Sequence, residues 1–204
     1  ARHLKQKGME FFTGYDNGQY LFKTQYYYAH NLIDVVNPAD YSSGFKEVGN
    51  LHSATALFLM NDIGDGISDY LDETNFFVSA AMSKTDPNAN EGMLGSDNGE
   101  SKTGYSYWVG AQLPSLFTDD GRMGIEYNHG SKYRRSITYG EDTNIGSKVA
   151  ARGDSYEIYF TEYLVEDILS MQLRYTYIDY DYTGSNGFFG NSTGSANAIS
   201  SEMA

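Results

Sequence analysis

Tyr105-Ser106-Tyr107-Trp108-Val109-Gly110-Ala111-Gln112-Leu113 alternates without a break. Tyr105, Tyr107, Val109, Ala111 and Leu113 are apolar or aromatic; Ser106, Trp108, Gly110 and Gln112 between them are polar, small or amphipathic. Successive side chains of a strand point to opposite faces, so the stretch reads as a β-strand with one apolar and one polar side. Three further segments repeat the pattern. Met123, Ile125 and Tyr127 oppose Arg122, Gly124, Glu126 and Asn128; Met171, Leu173, Tyr175 and Tyr177 oppose Gln172, Arg174 and Thr176; and Tyr20, Phe22, Tyr26 and Tyr28 oppose Gln19, Lys23 and Gln25.

Composition points the same way. The 204 residues include 19 Tyr, 11 Phe and 22 Gly against three Pro and a single Trp. Tyr and Phe favour pleated surfaces, and this much Gly interrupts helices. With no Cys, disulfide frameworks, cysteine zinc sites and thiol chemistry are excluded. A net charge of −13 would repel a phosphate backbone, so nucleic acid is not expected as a partner.

Strands are expected at 7–15, 19–30, 50–61, 74–84, 103–113, 122–130, 154–163 and 169–182. The connections between them alternate in length. Asp16-Asn17-Gly18, 62–73, 114–121 and 164–168 are the shorter set, and 31–49, 85–102 and 131–153 the longer one, with a further long segment at 183–204. Outer-membrane barrels sort their connections this way, tight turns at the periplasmic end and large loops outside, whereas a Greek-key sandwich has no reason to. The fold class expected is all-β, an antiparallel transmembrane β-barrel built as a meander of about eight strands. No run of about 18 apolar residues is needed, because a barrel strand spans with about 9–11 residues, alternately apolar. Residues 1–204 read as a single β-barrel region. Both ends of the strand run fall at the long-loop end, so the stretch is expected to belong to a larger barrel.

The segment Ala151-Arg152-Gly153-Asp154-Ser155-Tyr156-Glu157-Ile158-Tyr159 and the run from Arg174 through Asp179-Tyr180-Asp181-Tyr182 to Phe188-Phe189-Gly190 resemble a group of outer-membrane, porin-like proteins of Gram-negative bacteria. The resemblance implies a barrel in the cell outer membrane, with further strands beyond these eight. It implies no catalytic or ligand residues.

If the apolar face meets lipid, Lys23, Gln25, Arg122, Glu126, Asn128, Glu157, Gln172 and Arg174 line the lumen, a mixed and hydrated wall of the kind general diffusion channels use. Tyr20, Tyr28, Tyr105, Tyr127 and Tyr177 lie toward the ends of apolar faces, where amphipathic rings form interfacial girdles. Arginine is expected to be costly at Val109, Ile125 or Leu173 and cheaper at Gly110 or Gln172. Arg134 and Arg135 in the longest loop read as a solvated pair; the alternative is an inward fold that narrows the channel.

Chemistry beyond filtering finds little support. His3, His30, His52 and His129 make no metal-like pair, and Gly-x-Ser-x-Gly is missing. Asp62, Asp65, Asp69, Asp72 and Glu73 miss the calcium-loop spacing and read as a solvated acidic turn, and the Asp179 and Asp181 pair is equally weak. No enzymatic activity, metal or cofactor is expected. The expected partners are the outer-membrane bilayer and small hydrophilic solutes or ions. Two rival readings stand beside the channel: a non-channel adhesin or structural barrel, and a soluble extracellular β-sandwich that binds carbohydrate through its tyrosines.

Overall fold

The computed structural model describes residues 4–37, 40–64, 66–68, 70–93, 99–118, 120–136, 147–165, 168–183 and 196–199. The loop expected at 183–204, Asp65 and Asp69 lie wholly or largely outside these residues. Eight strands form the fold: β1 (Lys7–Asp16), β2 (Tyr20–Asn37), β3 (Asp40–Met60), β4 (Asn75–Pro87), β5 (Thr103–Pro114), β6 (Arg122–Gly130), β7 (Gly153–Val165) and β8 (Leu169–Tyr180). Each pairs antiparallel with the next, in the order β1-β2-β3-β4-β5-β6-β7-β8. β1 and β8 do not pair with each other among the described residues, so the sheet is an open meander with two edges.

Register fixes which residues share a face, because directly opposed partners project together. Phe22 faces Phe58, Phe58 faces Val78, Val78 faces Val109, Val109 faces Tyr127, Tyr127 faces Tyr156 and Tyr156 faces Tyr177. One apolar face therefore runs across the whole sheet. The rung beside it on the other face links Trp108 to Asn128, Asn128 to Ser155 and Ser155 to Ile178.

The burial of the two faces is inverted relative to a water-soluble sheet. Phe11, Phe22, Ile125, Ile158, Leu173 and Tyr175 are exposed, while Ser83, Thr85, Ser106, Asn128, Ser155 and Glu157 on the opposite face are buried. In water, burial normally selects for Ile, Val, Leu and Phe and against Glu. Here connections from one end of the sheet fold onto the polar face and cover it at that end, while Lys23 and Gln172 on the same face stay exposed. Met93 of the 88–102 connection packs fully buried against Ala29, Leu32, Val48 and Leu51, with Tyr27 at its edge. This is a small apolar core at the long-connection end.

The segment 31–49 corrects an expectation. It is not a loop: β2 and β3 continue through it as an arm whose ladder reaches Asn37 opposite Asp40. Register shifts between Ala29 and Ile33 mark where the arm leaves the wall, with Asn31 at φ 55° and its N–H bonded to Asn50 Oδ1 at 3.2 Å. A bulge resets the side-chain period. The alternation therefore breaks in the sequence where the strand itself continues. The strict sorting of connections by length holds less well as a result, since the 61–74 segment at the short-turn end exceeds the arm's tip.

Gly110 corrects a second expectation. A Cβ there would lie 2.6 Å from the Phe77 ring and 3.0 Å from Glu126 Cγ, so this position does not admit a large side chain. The permissive control is Gln172, which is exposed on β8. Val109→Arg, Ile125→Arg and Leu173→Arg should each destabilise by about 2–4 kcal/mol where the site lies near a bilayer midplane, and Gln172→Arg by much less. Urea titration of protein folded into lipid vesicles measures this. Equal costs at both sets would exclude lipid contact at the apolar face.

Candidate functional site

The register places all eight residues expected to line a lumen on one face of the sheet, opposite Tyr20, Tyr28, Tyr105, Tyr127 and Tyr177. Gly14 opposes Lys23, Phe12 opposes Gln25, and the β5–β8 ladders carry Arg122, Glu126, Asn128, Glu157, Gln172 and Arg174 on the same side. They do not form one cluster. Gln25 bonds Glu10 at the β1 edge, and Lys23 is exposed beside it. Arg122 sits at the short-turn end, 2.5 Å from Glu73 in the 61–74 connection.

Glu126, Glu157 and Arg174 do converge, on a residue that sequence reasoning missed. Lys148 comes down from the 131–152 connection and places Nζ 2.6 Å from Glu126 Oε2 and 2.6 Å from Glu157 Oε1. Its ammonium lies 5.3 Å from the centre of the Trp108 ring, within cation–π range. Trp108 Nε1 donates to Glu126 Oε2 at 2.9 Å, and Thr176 Oγ1 donates to Glu157 Oε2 at 2.7 Å. Arg174 completes the group, with Nη1 3.5 Å from Glu157 and its guanidinium over Tyr159. Gln172 Nε2 bonds Thr161 alongside, at 2.8 Å. Burial disfavours the Lys148 cation, but the hydrogen bonds and charges of the two carboxylates outweigh it, so its pKa is raised above the usual lysine value. While the two carboxylates are ionised, the lysine's contribution is therefore full below about pH 10.4 and is lost as pH rises through its raised pKa.

The 131–136 and 147–152 segments lie directly on the sheet because glycines let them. A Cβ on Gly104 would stand 2.0 Å from the Tyr133 carbonyl oxygen, and one on Gly130 would stand 1.9 Å from that of Ala151. Both glycines face the polar side, so any side chain at either would lift the connection. Arg134 and Arg135, expected as a solvated pair, are buried at 8% and 3% exposure. Arg152 Nε donates to the Arg134 carbonyl at 3.0 Å, tying both ends of the connection together, and its Nη1 donates to that of Thr183, beyond β8, at 2.8 Å. Burial, with Arg135 beside it, holds the Arg134 pKa down at about 10, still cationic at neutral pH.

Between this connection and the β1–β3 part of the polar face lies a cavity of about 480 Å³. Glu10, Gln25, Tyr27, Ser53 and Thr55 line it from the strands, and Arg134 and Ser136 from the connection. A larger hollow of about 730 Å³ opens on the apolar side between Phe11, Tyr26, Met82 and Tyr105 over a floor of Ala54, Ala56 and Ala80. It has no charged lining and is a furrow between exposed side chains.

Four of the five girdle tyrosines fall into chains of ring contacts on the apolar face. Tyr28 lies 4.8 Å from His52, while Tyr105 and Tyr107 reach His129, and the chain continues through Tyr127 and Tyr156 to Tyr177. Tyr20 is at the opposite end, stacked on Phe58. Asp154 accepts from Tyr127 at 2.7 Å and lies 2.9 Å from His129 Nδ1, giving this belt a wet, polar rim.

Residues 4–204 match a family described as protein of unknown function, DUF3373, and the chain belongs to that family. No curated protein and no solved structure matches the chain. The family description assigns no activity.

Removing one partner of a buried ion group leaves an uncompensated charge. Lys148→Ala should therefore destabilise the folded protein by about 3–5 kcal/mol, and adding Glu126→Gln and Glu157→Gln to it should recover part of that loss. Urea unfolding followed by Trp108 fluorescence measures both. An unaltered midpoint in Lys148→Ala would show that the connection is not held by this group.

Proposed function

We propose that this chain forms the wall of a porin-like channel in a Gram-negative outer membrane, through which ions or small hydrophilic solutes diffuse passively. The observation that carries the reading is the inverted burial, with an apolar face left bare across eight strands and a charged face lined with inserted connections. A bare apolar face of this extent is stable against lipid and unstable in water. The tyrosine and histidine belt at one end supports the same placement, since amphipathic rings settle at headgroup level.

Filtering in this reading is steric and electrostatic, with no covalent step. Solutes pass along the polar face, where the inserted 131–136 and 147–152 segments narrow the path and fixed charges select among ions. A channel needs a closed wall, so the edges of β1 and β8 would be met by further strands, of a longer polypeptide or of a neighbouring copy. One observation favours the rival reading of a non-channel surface adhesin: the arm of β2 and β3 beyond Ala29, which offers edges and an exposed Phe45 to a partner.

Reversal potential in a salt gradient tests the channel. Replacing Lys23, Arg122 and Arg174 together by Glu should shift selectivity toward cations, because charges on a narrow low-dielectric wall act strongly on ions. Lys23→Glu alone should shift it more than Arg122→Glu, since Glu73 already compensates Arg122. Wild-type protein with no conductance in planar bilayers would favour the adhesin.

A further inference from the structure

We propose that Arg134 and the cavity it lines bind the oxyanion end of a small polar solute, a carboxylate or phosphate with hydroxyl or amino groups behind it. The proposal rests on the reading of the polar face as the side that solutes reach.

Arg134 is 8% exposed, yet no carboxylate pairs with it among the described residues. Its Nη1 donates to the Arg135 carbonyl oxygen at 2.9 Å, and its Nε has no hydrogen-bond partner. A guanidinium offers five N–H donors in a planar fork that matches a carboxylate or phosphate edge. The contrast with Lys148 is informative, because that buried cation holds two carboxylates within 2.6 Å. Glu126 and Glu157 are thus committed elsewhere, and Arg134, which lines the cavity, keeps a charge that no described carboxylate offsets. A desolvated cation without a counter-charge is unfavourable, and an incoming anion relieves it.

The cavity suits such a guest. Its volume of about 480 Å³ falls within the range of small-molecule sites. The wall formed by Ser53, Thr55 and Gln25 offers donors and acceptors, and Glu10 offers a carboxylate to the ligand's own hydroxyl or amino groups. Anion at the arginine and donors toward the strands define the class of solute.

Calorimetric titration of the refolded protein in detergent micelles tests the site, with gluconate, inorganic phosphate and uncharged sorbitol as probes. Gluconate should bind at least about tenfold more tightly than sorbitol, and Arg134→Gln should weaken gluconate by about tenfold or more while Arg134→Lys retains part of the affinity. Phosphate binding as tight as gluconate would assign the site to oxyanions generally, and weaker phosphate binding to carboxylates. Equal gluconate affinity in wild type and Arg134→Gln, or no binding of gluconate or phosphate, overturns the proposal. Should Arg134→Gln fail to refold, Thr55→Val on the facing wall replaces it, and an unaltered affinity there overturns the site. Conductance is read on the same preparations. Gluconate binding without conductance keeps the site and removes the channel; conductance without binding keeps the channel and removes the site.

Discussion

Seven antiparallel ladders hold the side chains of eight strands in register, and every other feature of the molecule depends on that separation into two faces. A slip of one residue in any ladder would carry an entire apolar row to the polar side. The rungs that join Phe22 to Tyr177 across seven strands show no such slip. The bulges that do occur lie outside this band, where β2 and β3 leave the wall as an arm and where β7 turns into β8. The two faces therefore differ in chemistry along their whole width, and the environments that suit them differ as well.

The polar face answers its own constraint. Charges withdrawn from water need partners, and the molecule supplies them from a connection and not from the sheet alone. Lys148 satisfies Glu126 and Glu157 together, Trp108 and Thr176 occupy further carboxylate lone pairs, and glycines at 104 and 130 leave room for the backbone that delivers the lysine. A half-satisfied network of this kind would be worse than an apolar layer, because a low dielectric strengthens pairs and penalises orphans alike. Arg134 departs from that pattern, buried with no described carboxylate beside it.

Much of this was legible in the sequence where the two-residue period is unbroken. β5, β6, β7 and β8 fall within about two residues of their expected bounds, and the polar and aromatic residues read from them share faces as expected. The arm at 31–49 was not legible, because Asn31 and the bulges around it break the period inside a continuous strand pair. Neither was the role of Lys148 or Arg134. A residue in a connection carries no periodicity, and its position is set by long-range packing that local pattern does not encode. Trp108 was the one available hint: a large aromatic on a polar face needs something to pack against it. Gly110, read as a small and tolerant position, is in fact a slot for the Phe77 ring, which composition alone could not distinguish.

If the apolar face meets lipid and the polar face does not, the single tryptophan makes the difference directly measurable. Trp108 lies on the polar side beneath Lys148, while Ile125 lies on the apolar side at 59% exposure. Fluorescence in vesicles of brominated lipid reports contact with acyl chains. Lipid contact at the apolar face alone predicts weak quenching of Trp108 in the wild type and strong quenching of a tryptophan introduced by Ile125→Trp in a Trp108→Phe background. Strong quenching of Trp108, or none at position 125 in protein shown to be vesicle-bound, would contradict it.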